Sequence, residues 1–258
     1  MFHTPAAAYD RHIGRYGPAL ARELARAAGV RAGDRALDVG CGPGALTAEL
    51  AARLGAGRVA AVDPSEPFVA ACRERHPGVE VVVAGAEALP FPAASFDHAL
   101  AQLVVNFMAD ATQGVAELRR VTRPGGTVAA AVWDYGGEMT LLRRFWDAAV
   151  ALDPAAAELD EGRSMRYCTE PELAALWSAA GLGEVRVRAA VVDAGYDGFD
   201  DLWRPLESGV APSGAYVAQL ARPEREALAA ELRSRLGVGD GDAPFRLTAR
   251  AWIATGRC

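Results

Sequence analysis

Short apolar runs alternate with helical patterns through the first half of the chain. The apolar runs predict buried strands over 36–39, 59–63, 79–83, 96–101 and 126–132. Between them, apolar residues recur at helical spacing and predict helices over 44–54, 65–75 and 110–122. Strands that alternate with helices are typical of βαβ units, in which helices cover both faces of a parallel sheet. We therefore predict an α/β fold with a mostly parallel sheet.

The alternation loosens beyond residue 133. Helical patterns continue over 138–152, 170–180, 200–207 and 223–236. Strand-like alternation returns in 184–192 and 245–254, which we predict to be a closing antiparallel pair that brings the sheet to seven strands.

The remaining segments predict how the chain is organised around this sheet. Inserts at about 134–168 and 193–243 are predicted to form a helical cap over the carboxyl edge of the sheet, where open α/β sheets bind ligands. A helical pattern before the first strand predicts an N-terminal cap segment over 1–32. We therefore divide the chain into that segment and one domain over 33–258.

Composition excludes several chemistries. The chain has 258 residues, a formal net charge of −6 and 51% hydrophobic residues, and the 27 residues that are lysine or arginine are all arginine. Without lysine there can be no Schiff base to pyridoxal phosphate, no phosphate-loop lysine and no Tyr-x-x-x-Lys pair of a short-chain dehydrogenase. An acidic chain without a basic cluster argues against a nucleic-acid partner.

Hydropathy and cysteine spacing indicate the compartment. The longest apolar runs, such as 127–133, are far shorter than the roughly 18 residues that cross a bilayer, so no membrane association is expected. The first residues lack a basic leader followed by an apolar stretch, and the four cysteines have neither metal-ligand nor disulfide-framework spacing. We expect a cytoplasmic protein without a metal site.

Candidate chemistry concentrates where the first predicted strand meets a helix. Gly40, Gly42 and Gly44 let the backbone turn sharply and leave room for a ligand beside it. Asp38 lies two residues before the first glycine, and Asp63 ends the second strand, where its carboxylate can accept both hydroxyl hydrogens of a ribose. The relaxed Gly-x-Gly-x-x-Ala pattern also permits a nicotinamide-dependent oxidoreductase, which stays open at this point.

Four consecutive blocks resemble class I S-adenosylmethionine-dependent methyltransferases, in particular the small-molecule group of ubiquinone-biosynthesis C-methyltransferases. The blocks are LDVGCGPG (37–44), AVDPSEPFVAACRER (61–75), AGAEALPFPAASFD (84–97) and ELRRVTRPGGTV (117–128). The resemblance implies a Rossmann-like seven-stranded fold, S-adenosylmethionine as cofactor with S-adenosylhomocysteine as product, and methyl transfer by in-line displacement.

The resemblance also implies which residues contact the cofactor. They follow the matching motif positions: Asp38, Gly40, Cys41, Gly42, Gly44, Asp63, Pro64, Ala86, Glu87 and Gln102. Asp63 would hold the ribose, whereas Ser65 suits the capping of the next helix. Where many relatives have an acidic residue, this chain has Gly85, so a contact to the adenine amino group is either missing or made by Glu87.

Candidate catalytic residues are few. The sulfonium already activates the methyl group, so the protein must mainly hold the acceptor at about 3–3.5 Å and exclude water. His12, Asn106 and Asp134 are the polar candidates for a base, while His98 is interpreted as structural. An amide at Asn106 cannot act as a base, which favours positioning and desolvation.

The acceptor is predicted to be a small molecule, methylated at oxygen, carbon or nitrogen. The Asn/Asp-Pro-Pro-Tyr signature of enzymes that methylate nucleobase or glutamine amino groups is absent, and AQLVVNF (101–107) stands in its place. Aromatic residues in the N-terminal segment and the inserts are candidates for a hydrophobic acceptor pocket: Tyr9, Tyr16, Trp133, Tyr167 and Trp203. A cofactor-binding protein without turnover remains an alternative, and either a monomer or a homodimer is expected.

Overall fold

The computed structural model describes residues 11–209, 211–239 and 243–258. Its seven strands form one sheet in the order β3-β2-β1-β4-β5-β7-β6. The strands are β1 (Ala36–Val39), β2 (Val59–Asp63), β3 (Glu80–Val83), β4 (Phe96–Gln102), β5 (Thr122–Trp133), β6 (Gly183–Tyr196) and β7 (Phe245–Arg257). The first five strands pair in parallel, and β7 runs antiparallel to both β5 and β6. The predicted Rossmann-like α/β fold is confirmed.

Helices cover the sheet and contribute the inserts. They are α1 (Gly17–Ala28), α2 (Ala45–Leu54), α3 (Glu66–Arg75), α4 (Ala111–Val121), α5 (Thr140–Leu152), α6 (Glu161–Ser164), α7 (Glu170–Ala179), α8 (Phe199–Glu207), α9 (Ala211–Gln219) and α10 (Arg222–Leu236). Short 3-10 turns span Ile13–Tyr16, Ala56–Arg58, Val105–Phe107 and Pro154–Leu159. The sequence pattern did not predict α6 or α9. The first is a single turn, and the second contains Pro212 and Gly214, which are poor helix formers.

The central strands are apolar because helices cover both of their faces. Every residue of β1 and β2 is buried, which leaves no polar face to alternate with the apolar one. The outer strand β6 differs, since its second half alternates exposed and buried residues. These patterns explain why the parallel strands are visible in the sequence as short continuous apolar runs.

The N-terminal helix α1 packs on the sheet, next to the cleft that is described below. It buries Leu20, Ala21, Leu24 and Ala25 and contacts α2, β4 and β5. A 3-10 turn precedes it, and Pro18 lies in its first turn, where a missing backbone N–H costs nothing. Gly17 and Pro18 therefore mark the start of this helix.

No helix in the described part of the chain is long and apolar enough to span a bilayer. The division at residue 33 and the insert boundaries stay predictions. Residues of α5, α6 and α9 from the predicted inserts do reach the carboxyl edge of the sheet, where they border the cleft described next.

Candidate cofactor and acceptor cleft

A cleft of about 480 Å³ lies at the carboxyl ends of the parallel strands. One end, here called the loop end, is bordered by residues that follow β1, β2 and β3: Gly40, Cys41, Gly42, Asp63, Pro64, Gly85, Ala86 and Glu87. The other, the insert end, is bordered by residues beyond β5: Tyr135, Leu142, Glu161, Met165, Ala211 and Pro212. Asp38, Gln102, Trp133 and residues near the 3-10 turn at Ile13–Tyr16 also border the cleft.

The glycine loop needs its glycines for two different reasons. Gly40 has φ +70°, and a Cβ added there would lie 2.3 Å from Val104 Cγ2. Gly42 has φ +52°, but a Cβ at this position would meet no heavy atom within 4 Å. Both positions require the left-handed region, which other residues seldom adopt. Gly40 therefore permits close packing of the loop on Val104, whereas Gly42 leaves open space beside the backbone in the cleft.

Asp63 joins the glycine loop to the end of β2. Its Oδ2 accepts a hydrogen bond from Gly42 N at 2.9 Å, and its Oδ1 accepts one from Ser65 N at 2.8 Å. Burial raises the pKa of the Asp63 carboxyl, and these backbone bonds oppose that rise. Each carboxylate oxygen can accept more than one hydrogen bond, so capacity remains for a ligand.

The capping prediction for Ser65 is wrong. Ser65 occupies the position before α3, but its side chain accepts no capping hydrogen bond from the helix. Instead, the Asp63 carboxylate accepts a hydrogen bond from the backbone N–H of Ser65, two residues later in the chain. Aspartate often makes this bond in turns. Asp63 thus has a structural role in the turn in addition to the predicted role in the cleft.

Asp38 is fully buried at the floor of the cleft. Its Oδ2 accepts a hydrogen bond from Thr47 Oγ1 at 2.6 Å, while its Oδ1 has no partner among the described residues. Burial raises the pKa of this carboxyl to about 7. A buried carboxyl oxygen without a donor is costly, and a cationic or hydrogen-bonding ligand would satisfy it.

Glu87 lies over the space that Gly85 leaves. A Cβ at Gly85 would be 3.2 Å from Glu87 Oε2. The other oxygen, Oε1, accepts a hydrogen bond from Ala109 N at 2.9 Å, which ties Glu87 to the loop before α4. A carboxylate from two positions later in the chain therefore lies beside Gly85.

Gln102 links the N-terminal segment to the cleft. Its Nε2 donates to Gly17 O at 3.1 Å, and its Oε1 has no partner in the described part of the protein. Cys41 and Pro64 border the loop end together with Ala86, whereas Gly44 is the N-cap residue of α2 and is not part of the lining. A Cβ at Gly44 would lie 2.4 Å from His76 Nε2, so this glycine serves packing.

The three candidate bases lie in different surroundings. His12 borders the cleft with a buried Nε2 that has no partner among described residues, and burial, together with Arg15, lowers its pKa to about 4. Asp134 Oδ2 accepts Arg250 Nε at 2.8 Å and Glu138 N at 2.9 Å. Neither Asp134 nor Asn106 is part of the cleft lining. The structure thus places one of the three, His12, at the cleft.

The aromatic candidates divide in the same way. Trp133 borders the cleft. Tyr16 packs edge-on against the Trp133 ring, with the two ring centroids 5.8 Å apart. The Tyr16 hydroxyl bonds to the Tyr196 hydroxyl at 3.1 Å. Tyr167 and Trp203 are outside the lining, with Trp203 stacked on Phe199, and Tyr9 lies outside the described residues.

Sequence reasoning missed Glu161 and the apolar residues around it. Glu161 is only 6% exposed, and its Oε2 accepts a hydrogen bond from Trp146 Nε1 at 2.7 Å. Burial raises the pKa of Glu161 to about 7. In the sequence it belongs to an acidic, irregular stretch, where nothing distinguishes it from its solvated neighbours. Trp146 is 15 positions away in the sequence, and this separation matches neither helical nor strand periodicity.

Comparison with known proteins places this site in a family. Residues 37–130 match the family described as a methyltransferase domain, a stretch that holds the glycine loop, Asp63 and Glu87. A solved protein from Anaeromyxobacter dehalogenans that carries the name of a type II methyltransferase has 28% identity and a TM-score of 0.63, with 94% of this chain and 97% of that chain covered. The chain therefore contains a methyltransferase domain over 37–130, and the proteins that it resembles are methyltransferases.

Two further similar proteins extend the comparison. The malonyl-[acyl-carrier protein] O-methyltransferase of Salmonella typhimurium is 37% identical over 112 residues, which is 43% of each chain. Phosphoethanolamine N-methyltransferase 2 of Haemonchus contortus, solved with S-adenosylhomocysteine, shares the fold with a TM-score of 0.61 and 17% identity, over 98% of this chain and 56% of that one. The matches span less than two thirds of the length of the first curated relatives. None of these matches supports the oxidoreductase alternative.

Proposed function

We propose that the chain is a methyltransferase that uses S-adenosylmethionine to methylate a small molecule. The observation that carries the proposal is Asp63, which joins the glycine loop and faces a cleft within the matched domain. Oxygen, nitrogen and carbon remain open as the methylated atom.

The loop end fits the cofactor residue by residue. Asp63 has acceptor capacity left for the two ribose hydroxyls. The partnerless Asp38 Oδ1 would accept from the ammonium of the methionine portion, and the open space at Gly42 would admit the ligand beside the backbone. Ala86 and Glu87 would flank the adenine, with Glu87 in place of the acidic residue that Gly85 replaces.

The residues of this chain would act mainly by position. The cofactor supplies an electrophilic methyl group when bound, so the protein needs to hold the acceptor in line and keep water out. Trp133, Leu142 and Met165 give the insert end an apolar lining suited to excluding water. His12 is uncharged at neutral pH because burial lowers its pKa to about 4, so it would accept a hydrogen bond without presenting a charge.

The partner and location follow from the same features. The acidic chain and a cleft without a bordering arginine among the described residues favour a small-molecule acceptor over a nucleic acid. We propose a cytoplasmic enzyme, monomeric or homodimeric. One relative is named for a malonyl acceptor, which ends in a carboxylate, and that acceptor is not carried over because no arginine borders the described cleft.

Titration calorimetry with S-adenosylhomocysteine tests the proposal. We expect micromolar binding, and Asp63→Ala should weaken it by about tenfold or more, the loss of at least one charge-assisted hydrogen bond. The matched control is Asp97→Asn, since Asp97 also accepts backbone and arginine hydrogen bonds but lies at the start of β4, away from the cleft. Absence of binding, or equal affinity of the Asp63→Ala variant, would contradict the proposal. Methylated product from an acceptor panel would then exclude a cofactor-binding protein without turnover.

A further inference from the structure

Four acidic side chains border the cleft, and three of them are accounted for at the cofactor. Asp38, Asp63 and Glu87 belong to the floor and the loop end, where they face the glycine loop and the space beside Gly85. Glu161 lies at the insert end, on a different element, and contacts none of them by a recorded hydrogen bond. Glu161 is therefore a buried acid with no role among the proposed cofactor contacts.

The surroundings of Glu161 hold its carboxyl in place without forming an ion pair with it. Trp146 lies on α5, one turn after Leu142 of the cleft lining, and donates its indole N–H to Glu161 Oε2. Arg143, on the same helix, pairs with both oxygens of Asp160. Arg143 is therefore engaged by the neighbouring aspartate, and among the described residues no arginine forms a hydrogen bond or an ion pair with Glu161.

The whole cleft is short of positive charge. Among the described residues its lining includes no arginine, and His12 is its one basic side chain. The chain contains no lysine, and the residues outside the description, 1–10, 210 and 240–242, contain no arginine either. Above a pH of about 7, where Glu161 is ionised, a carboxylate ligand beside it would be a second buried anion without an ion-pair partner, which is strongly unfavourable.

We propose that the insert end binds an apolar acceptor through an amine or hydroxyl hydrogen that Glu161 accepts, and that it rejects carboxylate acceptors. This rests on the methyltransferase function proposed above. Tyr135, Leu142 and Met165 would contact the apolar body of the acceptor, and Glu161 would orient its polar group. Amines and alcohols share the donor hydrogen that this arrangement requires, and only the amine adds a positive charge.

The protonation of Glu161 separates these two ligand types. Burial and Asp160 raise its pKa to about 7, while the Trp146 hydrogen bond and Arg143 oppose the rise. An ammonium group stabilises the ionised carboxylate, so amine binding should strengthen as pH rises towards and through about 7. An alcohol can bond to either form of the carboxyl, so its binding should depend less on pH.

Three probes with one apolar body test the proposal: phenylpropylamine, phenylpropanol and phenylpropionate. Their binding to protein saturated with S-adenosylhomocysteine is measured by calorimetry. The carboxyl carbon resonance of Glu161 in labelled protein, assigned by its loss in Glu161→Gln, is followed in parallel. Glutamine keeps the carbonyl oxygen that accepts from Trp146, so this variant should fold. The control is Glu172→Gln, because Glu172 accepts from Cys168 N and Thr169 Oγ1 outside the cleft.

At a pH above about 7, where Glu161 is ionised, we expect the amine and the alcohol to bind at least about tenfold more tightly than the propionate and to shift the Glu161 resonance. Glu161→Gln should remove the preference for the amine and leave the affinity for S-adenosylhomocysteine unchanged. The control Glu172→Gln should change neither the preference nor that affinity. Propionate binding as tightly as the amine, an unchanged preference in Glu161→Gln, or a Glu161 resonance that no probe moves would overturn the proposal. Failure of S-adenosylhomocysteine to bind the wild type would instead count against the proposed function, and the probes can then be tested without it.

Discussion

The loop end and the insert end of the cleft are built in different ways. At the loop end, backbone N–H groups hold the carboxylates: Gly42 and Ser65 bind Asp63, and Ala109 binds Glu87. At the insert end, one side chain, that of Trp146, holds Glu161. The family match over 37–130 includes the loop-end groups and stops before the insert end. Groups set by the backbone of a shared loop suit a common cofactor, whereas side chains on inserts can change with the acceptor.

The largest loss should come from a change in the loop itself. Gly40→Ala puts a Cβ 2.3 Å from Val104 Cγ2 and forces a left-handed φ on alanine. The loop must shift, so we expect affinity for S-adenosylhomocysteine to fall by about 100-fold or more, roughly 2.7 kcal/mol, in a calorimetric titration.

A double variant separates the two causes of that loss. In Gly40→Ala/Val104→Ala the colliding methyl groups are removed, so part of the affinity should return while the backbone strain of about 1–2 kcal/mol remains. The comparison variant is Gly42→Ala, whose Cβ meets no protein atom and should therefore impair ligand binding more than stability. Wild-type affinity in Gly40→Ala would show that the loop is not rigidly set by this contact.

A smaller loss, with a pH signature, is expected at the floor of the cleft. Asp38→Asn keeps an acceptor for Thr47 but loses the charge, so affinity for S-adenosylhomocysteine should fall by about tenfold. Because burial raises the pKa of Asp38 to about 7, ligand binding to its ionised form should release a proton below that pH in the wild type only. Calorimetry in buffers of different ionisation enthalpy measures this release.

The same raised pKa sets the direction of the stability change. Between the ordinary value of 3.8 and about 7, the folded state keeps a proton on Asp38 that the unfolded chain has lost. The free energy of unfolding should therefore decrease as pH rises through this window, and Asp38→Asn should lessen that decrease. Denaturant titrations at a series of pH values would contradict the assignment if both proteins showed the same profile.

The smallest expected effect on the site is that of Asp134→Asn. Asp134 binds Arg250 and Glu138 N outside the cleft, so its loss should lower the free energy of unfolding by about 1–2 kcal/mol. Ligand affinity and turnover should not change, which a thermal melt and a methyl-transfer assay can establish together. A large loss of turnover in a stable Asp134→Asn protein would return this residue to the catalytic candidates.

The loop end could be predicted from the sequence because its residues follow strands directly. The strand at 36–39 was located by its apolar run, and Asp63 is the last residue of the next one. Parallel strands bring such ends to one edge, so position in the sequence translates into position in space. The second role of Asp63, as acceptor for the Ser65 N–H, depends on turn geometry that no sequence pattern indicates.

The insert end could not be predicted in this way. Glu161 reaches the cleft because α5, a loop and α6 place it beside Trp146, and no period in the sequence describes that path. Aromatic residues in the inserts gave a misleading signal, since Trp203 stacks on Phe199 away from the cleft. Apolar residues serve packing and ligand contact alike, so residue type alone does not separate the two uses.

A crystal structure of the complex with S-adenosylhomocysteine tests the central claim most directly. The account predicts the ribose hydroxyls on Asp63, the ammonium near Asp38 Oδ1 and the sulfur directed towards the insert end that contains Glu161. A ligand bound outside this cleft, or a ribose without contact to Asp63, would contradict it.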